Sequence, residues 1–273
     1  MQKNYKKCKK TIKICVFVLY FCKLLLYNED VQNKGGIKMN REKVTISPSI
    51  MCADLVNLEE SVKKIESEGI DTLHIDVLDG DFSPSMPLGL GTIRALREIT
   101  DMDFDVHIMS NNNEFFIKEM IDIGVQQITF HYESSTHIDR HLKLIKKNGI
   151  KAGIALNPAT SLNDLDYVLP MCDTVMLMLM NPGFAADKNE TQVDYAKEKV
   201  NDLYNMIQKK GLDTNIEVDG RVSLEVIPDL VEAGANMLVA GSTSLFRTER
   251  SLSENKEIME EGIEKGLKLR EEN

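Results

Sequence analysis

Short apolar runs and longer amphipathic stretches alternate along this chain from Val44 onward. The short runs predict strands, and the amphipathic stretches predict helices. The eight predicted strands are Val44–Ser47, Thr72–Val77, Phe104–His107, Gln127–His131, Lys151–Leu156, Thr174–Met178, Asn215–Val218 and Met237–Val239. The predicted helices include Leu58–Glu68, Ile93–Ile99, Phe115–Ile123, Ile138–Lys147, Val193–Lys209, Leu224–Glu232 and Ser253–Leu269. Several of them close on a glycine, which is typical of a helix C-cap.

Eight strand-then-helix units predict an α/β fold, a single-domain (β/α)8 TIM barrel over residues 39–273. About 250 residues are typical of such a barrel, and 235 follow residue 38. The alternative is an open, doubly wound sheet, which would carry a glycine-rich nucleotide fingerprint after its first strand. The turn at that point is Ser47-Pro48-Ser49, so the barrel is preferred.

The first 38 residues do not share this alternation. A lysine-rich start precedes an apolar run from Ile14 to Cys22, which falls short of the roughly 20 residues that span a bilayer. The stretch resembles a signal peptide or a weak membrane anchor, but no small-residue cleavage site follows. Lys34–Met39 back-translates into a purine-rich ribosome-binding site ahead of a start codon. We therefore predict a translated leader or disordered extension over residues 1–38, with Met39 as the start.

Composition and charge narrow the class of protein. Apolar residues make up 42% of the chain, and none of the five cysteines forms a CxxC pair, which predicts a full core and a reducing, cytoplasmic location. The net charge is −10; nine of the 33 basic and two of the 43 acidic residues precede residue 39, so the remainder carries −17. Such an acidic surface argues against nucleic acid or an anionic membrane as partner, but not against a small phosphorylated ligand.

Candidate chemistry lies at the predicted carboxyl ends of the strands, where barrels of this kind carry their active sites. In strand 2, residues two apart point to the same face, so His74 and Asp76 project together. His107 ends strand 3, and Asp219 ends strand 7. Two imidazoles and two carboxylates suit one divalent ion such as Zn²⁺, Fe²⁺, Mn²⁺ or Co²⁺. The alternative for either histidine alone is a buried core residue with satisfied hydrogen bonds.

Six motifs, HIDVLDG, DVHIM, LNPAT, NPGF, EVDG and VAGS, in this order and spacing, resemble those of the ribulose-phosphate 3-epimerase family. The resemblance extends from about Ile46 to Phe246. It implies a metal-dependent (β/α)8 barrel that epimerises C3 of a ketose phosphate. The first expectation is the interconversion of D-ribulose 5-phosphate and D-xylulose 5-phosphate in the pentose phosphate pathway.

The resemblance also implies roles for individual residues. His74, Asp76, His107 and Asp219 fall on the metal ligands, and Asp76 and Asp219 fall on the two acid/base groups. Inverting C3 needs a base on one face and an acid on the other, while a metal bound to O2 and O3 stabilises the enediolate. The implied substrate contacts are Ser49, His107, Met109, Met178, Gly183, Gly220, Gly241 and Ser242. For the methionines, ordinary core packing is the alternative.

Four departures from the family pattern concern the side of the site expected to bind phosphate. Leu78 replaces a usual methionine, and Ser85 replaces a usual asparagine. Ala185-Ala186-Asp187 follows the NPGF motif, where the family has Gly-Gly-Gln or Ala-Gly-Gln. Arg221 replaces a small residue. We predict that Arg221 offsets the charge of Asp187 or donates to the phosphate directly; its alternative is an arginine that faces solvent.

The sequence leaves two alternative functions open and excludes a third. Residues 49–52 and 244–246 look closer to allulose-6-phosphate 3-epimerases, so D-allulose 6-phosphate is an alternative substrate. A non-catalytic sugar-phosphate-binding barrel is a third interpretation, against which the complete ligand set argues. Orotidylate decarboxylase is excluded, because its motif needs a lysine and none lies between Asp71 and Asp79. The expected partners are a small phosphorylated ketose and further copies of the chain, with no nucleic acid and no membrane.

Overall fold

Eight parallel strands form the centre of the computed structural model, which describes residues 43–184, 187 and 189–272. The strands are β1 (Thr45–Pro48), β2 (Thr72–Leu78), β3 (Asp103–Met109), β4 (Gln127–His131), β5 (Lys151–Leu156), β6 (Thr174–Met178), β7 (Asn215–Asp219) and β8 (Met237–Ala240). Consecutive strands pair from β2 to β8, and β8 pairs with β1. A parallel bridge between Ser49 and His74 joins β1 to β2. The predicted barrel is therefore confirmed.

Seven α-helices surround the barrel in the described part of the chain. They are α1 (Leu58–Ser67), α2 (Leu90–Ile99), α3 (Asn113–Ile123), α4 (Ile138–Lys147), α5 (Ala196–Lys210), α6 (Ile227–Ala233) and α7 (Leu252–Glu272). Between β5 and β6 the chain makes two short 3₁₀-helices, Leu162–Leu165 and Leu169–Met171, in place of an α-helix. Pro170 lies in this segment and cannot donate a backbone hydrogen bond, which opposes a regular helix there.

Local chemistry explains where two helices begin and end. Helix α6 begins at Ile227, three residues later than predicted, because Pro228 occupies the first turn and favours a helix start there. Helix α3 ends at Ile123, and Gly124 follows in the left-handed conformation with φ of 83°, which suits glycine at a helix C-cap. The glycine-terminated pattern in the sequence thus predicted this helix end correctly.

Two apolar clusters hold the fold together. The larger one joins the strands to the surrounding helices and includes the fully buried Phe104 and Phe130. The smaller one consists of Ala155, Met176, Met178 and Val239, from strands β5, β6 and β8. Alternate strand residues face opposite sides of the sheet, so the second cluster fills the barrel interior beside the polar strand residues.

Two expectations concern membranes and the amino terminus. Among residues 43–184, 187 and 189–272, no helix combines the length and apolar character needed to cross a bilayer. The predicted leader, residues 1–38, lies outside the described residues, as does Ala186 in the strand-6 loop.

Candidate metal and active site

The structure brings His74, Asp76, His107 and Asp219 together at the carboxyl ends of β2, β3 and β7. Their potential ligand atoms all lie within 4.8 Å of one another. Asp76 Oδ1 is 3.5 Å from His74 Nε2 and 3.6 Å from His107 Nδ1. Asp219 Oδ2 is 3.5 Å from the same His107 nitrogen. One nitrogen of each imidazole therefore faces the two carboxylates across a small gap.

The donor atoms of this cluster fit a divalent cation. His74 Nε2 and His107 Nδ1 are buried and have no hydrogen-bond partner, which is uncommon for buried polar atoms. Nδ1 of His74 lies 2.9 Å from Asp105 Oδ2, and this contact orients the ring so that its Nε2 points into the gap. Two nitrogens and two carboxylate oxygens form the kind of ligand set that first-row divalent ions accept.

The imidazoles and carboxylates of the cluster shift one another's pKa values. Burial lowers the pKa of His74, but the carboxylates of Asp76 and Asp105 outweigh burial and raise its pKa well above the ordinary value. Burial opposes ionisation of Asp76 as well, yet His74 and His107 hold its pKa well below the ordinary value. Protons therefore compete with a cation for this gap, and metal binding is expected to release them.

A second polar layer lies below the cluster, inside the barrel. Asp105 accepts hydrogen bonds from Gln127 Nε2 at 2.7 Å and from Ser47 at 3.1 Å, besides the one from His74. Glu217 is fully buried, and burial together with the charge of Asp105 raises its pKa well above the ordinary value, which keeps it protonated. Sequence reasoning assigned no role to Asp105 or Glu217, although each lies two residues before a candidate ligand on the same inward face.

Strand β4 and the short 3₁₀-helix after it, Tyr132–Ser134, contribute two functional candidates that sequence reasoning missed. His131 Nε2 lies 2.9 Å from His107 Nε2, and His131 Nδ1 lies 3.1 Å from Glu133 Oε2. Burial lowers the pKa of His131 to about 4, so the imidazole is neutral. Burial opposes ionisation of Glu133, but hydrogen bonds from His131, Thr160 and the Asn157 amide lower its pKa to about 2. The position of His131 as the last residue of β4 was the available signal.

A cleft of about 690 Å³, including its open mouth, lies over Asp76 and Asp219. The predicted substrate contacts that line it are Ser49, Met109, Met178, Gly183, Gly220, Arg221, Gly241 and Ser242. His107 is fully buried in the metal-binding cluster. Met51 and Met180 also line the cleft, and nothing in the sequence distinguished them from core methionines.

Two glycines of the cleft are required by their surroundings. Gly183 has φ of 82°, and a Cβ there would lie 1.3 Å from Ser83 Oγ, whose hydroxyl donates to the Pro182 carbonyl. Gly220 has φ of 105°, and a Cβ there would lie 2.6 Å from Met180 Cγ. Both loops therefore bring backbone close to the cleft, where a side chain would not fit.

Arg221 lines the cleft with its backbone in the left-handed region, at φ of 50°. Its Nε donates to the carbonyl of Glu190 at 2.6 Å, and one terminal nitrogen donates to the carbonyl of Asp187 at 2.7 Å. Arg221 thus fastens the loop after β7 to the loop after β6 through main-chain acceptors. The sequence predicted that Arg221 offsets the charge of Asp187 or donates to a phosphate, and it did not predict these main-chain acceptors.

Comparison with known proteins supports the resemblance seen in the motifs. The family model described as "Ribulose-phosphate 3 epimerase family" matches residues 45–246. A ribulose-phosphate 3-epimerase of Bacillus subtilis is 38% identical over 208 residues, which cover 76% of this chain and 94% of the relative. The chloroplastic ribulose-5-phosphate-3-epimerase of Arabidopsis thaliana is 39% identical over 207 residues, which cover 75% and 73% of the two chains.

Solved structures share the fold. The 3-hexulose-6-phosphate synthase of Salmonella typhimurium superposes with a TM-score of 0.57 at 15% identity, covering 81% of this chain and 99% of the other. The N-(5'-phosphoribosyl)anthranilate isomerase of Pyrococcus furiosus gives a TM-score of 0.53 at 13% identity, with 81% and 98% covered. At such identities the likeness concerns the barrel alone.

Proposed function

The chain belongs to the ribulose-phosphate 3-epimerase family, and on that premise we propose that it interconverts D-ribulose 5-phosphate and D-xylulose 5-phosphate. The enzyme is an isomerase that acts on a sugar phosphate. One observation supports the assignment above all others: the carboxylates of Asp76 and Asp219 both approach His107 Nδ1, at 3.6 and 3.5 Å, at the bottom of one cleft. Two carboxylates from different strands are what inversion at a single carbon requires.

Asp76 and Asp219 are assigned as the acid/base pair. One carboxylate takes the C3 proton from one face of the ketose, and the other, in its acid form, delivers a proton to the opposite face. The two exchange roles when the reaction runs in reverse. Ser49 donates a 2.6 Å hydrogen bond to Asp76 Oδ2 and so fixes the orientation of that carboxylate. Asp76 is more deeply buried than Asp219, with side-chain exposures of 5% and 17%.

One divalent metal ion is proposed as the cofactor, held by His74, Asp76, His107 and Asp219. Zn²⁺, Fe²⁺, Mn²⁺ and Co²⁺ are the candidates. Bound there, it would supply a Lewis acid that stabilises the negative charge developing on O2 and O3 when C3 loses its proton. The chain's own contribution is to hold two unprotonated imidazole nitrogens in place and to keep both carboxylates within reach of the sugar.

The remaining cleft residues are assigned to substrate binding. Met109 and Met178, with Leu78, form an apolar wall beside the carboxylates and limit the access of water. The glycine-rich turns at Gly183, Gly220 and Gly241 leave room for main-chain N–H groups to approach a phosphate, which suits an anion without any side-chain charge. Ser242 and Arg221 complete this end of the cleft.

The experiment that tests the proposal measures kcat/KM for D-ribulose 5-phosphate and D-allulose 6-phosphate on one sample of known metal content. A clear preference for the pentulose, together with about one divalent ion per chain, is the expected outcome. Preference for the hexulose would assign the chain to the sister activity. Metal binding without turnover of either sugar would favour a non-catalytic sugar-phosphate-binding barrel.

A cytoplasmic homo-oligomer completes the proposal. Cys52 and Cys172 are free thiols among the described residues, which fits a reducing compartment. Val56 and Tyr167 are 89% and 93% exposed, although both are apolar and of the kind that subunit contacts cover. Light scattering coupled to size-exclusion chromatography tests the expectation, and a single chain in solution at micromolar concentration would contradict it.

A further inference from the structure

A chain of hydrogen bonds leads from the candidate metal ligand His107 to the carboxylate of Glu133, two residues after the end of β4. His107 Nε2 is 2.9 Å from His131 Nε2, and His131 Nδ1 is 3.1 Å from Glu133 Oε2. Both imidazoles are fully buried, and their rings stack with centroids 5.0 Å apart. Nothing in the acid/base scheme above uses His131 or Glu133, so their arrangement calls for its own explanation.

Glu133 can only accept hydrogen bonds. Its Oε1 accepts from the Asn157 amide at 2.7 Å and from the Thr160 hydroxyl, so the carboxylate is ionised and its orientation is set from the β5 side. Lys199 of α5 holds that loop in turn, because its Nζ donates to the carbonyls of residues 157, 158 and 160 at 2.8–2.9 Å. Glu133 Oε2 is therefore a fixed acceptor aimed at His131.

The fixed acceptor Glu133 determines which ring nitrogen of His131, and then of His107, carries the proton. A neutral imidazole has one N–H and one lone pair. His131 must place its proton on Nδ1 to donate to Glu133, which leaves a lone pair on Nε2. His107, when neutral, must then donate from Nε2 to His131, which leaves the lone pair on its Nδ1. That nitrogen is the buried atom without a partner that faces Asp76 and Asp219.

We propose that His131 and Glu133 are positioning residues that fix the tautomer of His107, so that its Nδ1 presents a lone pair to a divalent cation. The inference rests on the proposed function, because it concerns the same metal site. His74 obtains its tautomer directly from the carboxylate of Asp105. The tautomer of His107 is fixed by Glu133 through the intervening imidazole of His131. This arrangement keeps the negative charge of Glu133 away from the metal site.

The substitution Glu133→Gln separates this role from simple packing. The amide has nearly the same shape, and its oxygen can still accept from the Asn157 amide and Thr160. Its NH₂ group then faces His131 Nδ1 and donates to it. The donor-to-acceptor direction of both hydrogen bonds is thereby reversed. His131 would donate from Nε2, and His107 would carry its proton on Nδ1, the nitrogen that the cation needs.

Glu119→Gln is the matched control. Glu119 lies on α3, forms a 2.6 Å ion pair with Arg94, and has a side chain 26% exposed, against 23% for Glu133. It belongs to neither carboxylate–histidine cluster found among the described residues. The control removes one carboxylate charge of similar exposure from the outer helices, so it reports any general effect of the lost charge on metal binding or stability.

The experiment uses the full chain labelled with ¹⁵N-histidine and stripped of metal, with ring signals assigned by single His→Gln variants. Spectra are recorded at a pH where His107 is neutral, because Asp219 and Asp76 outweigh burial and raise its pKa. In the wild type, two-bond ¹H–¹⁵N spectra should show His107 protonated on Nε2 and His131 protonated on Nδ1. In Glu133→Gln the His107 proton should move to Nδ1. Direct Zn²⁺ and Co²⁺ titrations should show the Kd of the variant raised by about 10- to 100-fold, with no such change in Glu119→Gln.

Several results would overturn the inference, and none depends on the folding of the variant alone. A neutral wild-type His107 that carries its single proton on Nδ1 would refute it outright. An unchanged tautomer and Kd in Glu133→Gln, or an equal loss in Glu119→Gln, would also refute it. The proposed function has a separate test: if wild-type protein with the expected tautomers neither binds a divalent ion nor epimerises a ketose phosphate, that function is wrong.

Discussion

Replacing Asp76 by asparagine gives the sharpest test of the two-carboxylate scheme. The amide oxygen can keep the 2.6 Å hydrogen bond from Ser49, so the side chain should stay in place. Its NH₂ group would lie where Oδ1 now lies, 3.5 and 3.6 Å from His74 Nε2 and His107 Nδ1. Both buried nitrogens would gain a donor nearby, while the site would lose a base, a negative charge and a metal ligand.

The expected magnitudes differ between activity and stability. Loss of a positioned base lowers a rate by roughly 10²- to 10⁴-fold. That range corresponds to about 2.7–5.5 kcal/mol of activation free energy, and the weakened metal site adds to it. The free energy of unfolding should change less than the activation free energy, because the amide keeps the shape of the side chain and the hydrogen bond from Ser49. Asp76→Asn is therefore expected to be folded and nearly inactive.

The assay follows epimerisation of D-ribulose 5-phosphate by NMR, with urea unfolding and metal analysis on the same preparation. Asp173→Asn is the control, because Asp173 precedes β6 at the opposite end of the barrel, where it accepts from the Ala152 amide and from Lys146. Its kcat should remain close to that of the wild type. If Asp76→Asn kept more than about a tenth of wild-type kcat, the loss would be under roughly 1.4 kcal/mol, and Asp76 could not be the base.

Four further predictions follow from the site and the sequence. Turnover in D₂O should place deuterium at C3 of the product, and product free of deuterium would disfavour proton transfer through Asp76 and Asp219. Arg221→Gly should raise KM for the phosphorylated ketose more than for its unphosphorylated analogue. The difference should correspond to a binding free energy of about 1.5–3 kcal/mol if a charge-assisted hydrogen bond is lost, and equal effects would contradict this role. The pKa of Glu133 is lowered from 4.5 to about 2, so its contribution, at most about 3 kcal/mol, is present above pH 4.5 and is lost as pH falls towards 2. Urea unfolding at pH 3 and pH 6 should show a smaller loss of stability in Glu133→Gln than in the wild type. A chain of residues 39–273 should match the full chain in kcat/KM, and an inactive or misfolded product would refute the leader interpretation.

The bounds of several strands were predictable from local sequence. The bounds of β4, β5 and β6 agree with the predicted ones, because apolar runs bordered by glycine, asparagine or aspartate are a local property of the chain. The predicted eighth helical unit is absent from the described residues between β5 and β6, where two 3₁₀-helices occur instead. Pro170 was visible in the sequence, but only the structure showed that this connection forms no α-helix.

The residue pattern of strand β4 did not predict a role for His131. His131 ends an apolar run, as His107 does, yet a single buried histidine is more often a core residue than a functional one. Its importance depends on a 2.9 Å contact with a residue 24 positions away and on a Glu133 carboxylate held by the next loop. Such contacts are set by the angle between neighbouring strands and by rotamers, which residue spacing does not encode.

The sequence by itself determined the family through its six motifs. It also determined the fold class and the four side chains that converge on the cluster, because a period of two along a strand and the end of that strand are readable from residue order. The tertiary structure alone decided which atoms face one another. It paired His74 with Asp105, linked His107 to Glu133 through His131, and directed Arg221 to the carbonyls of Asp187 and Glu190. These are distances between segments far apart in the chain, fixed only when the barrel closes and its side chains pack.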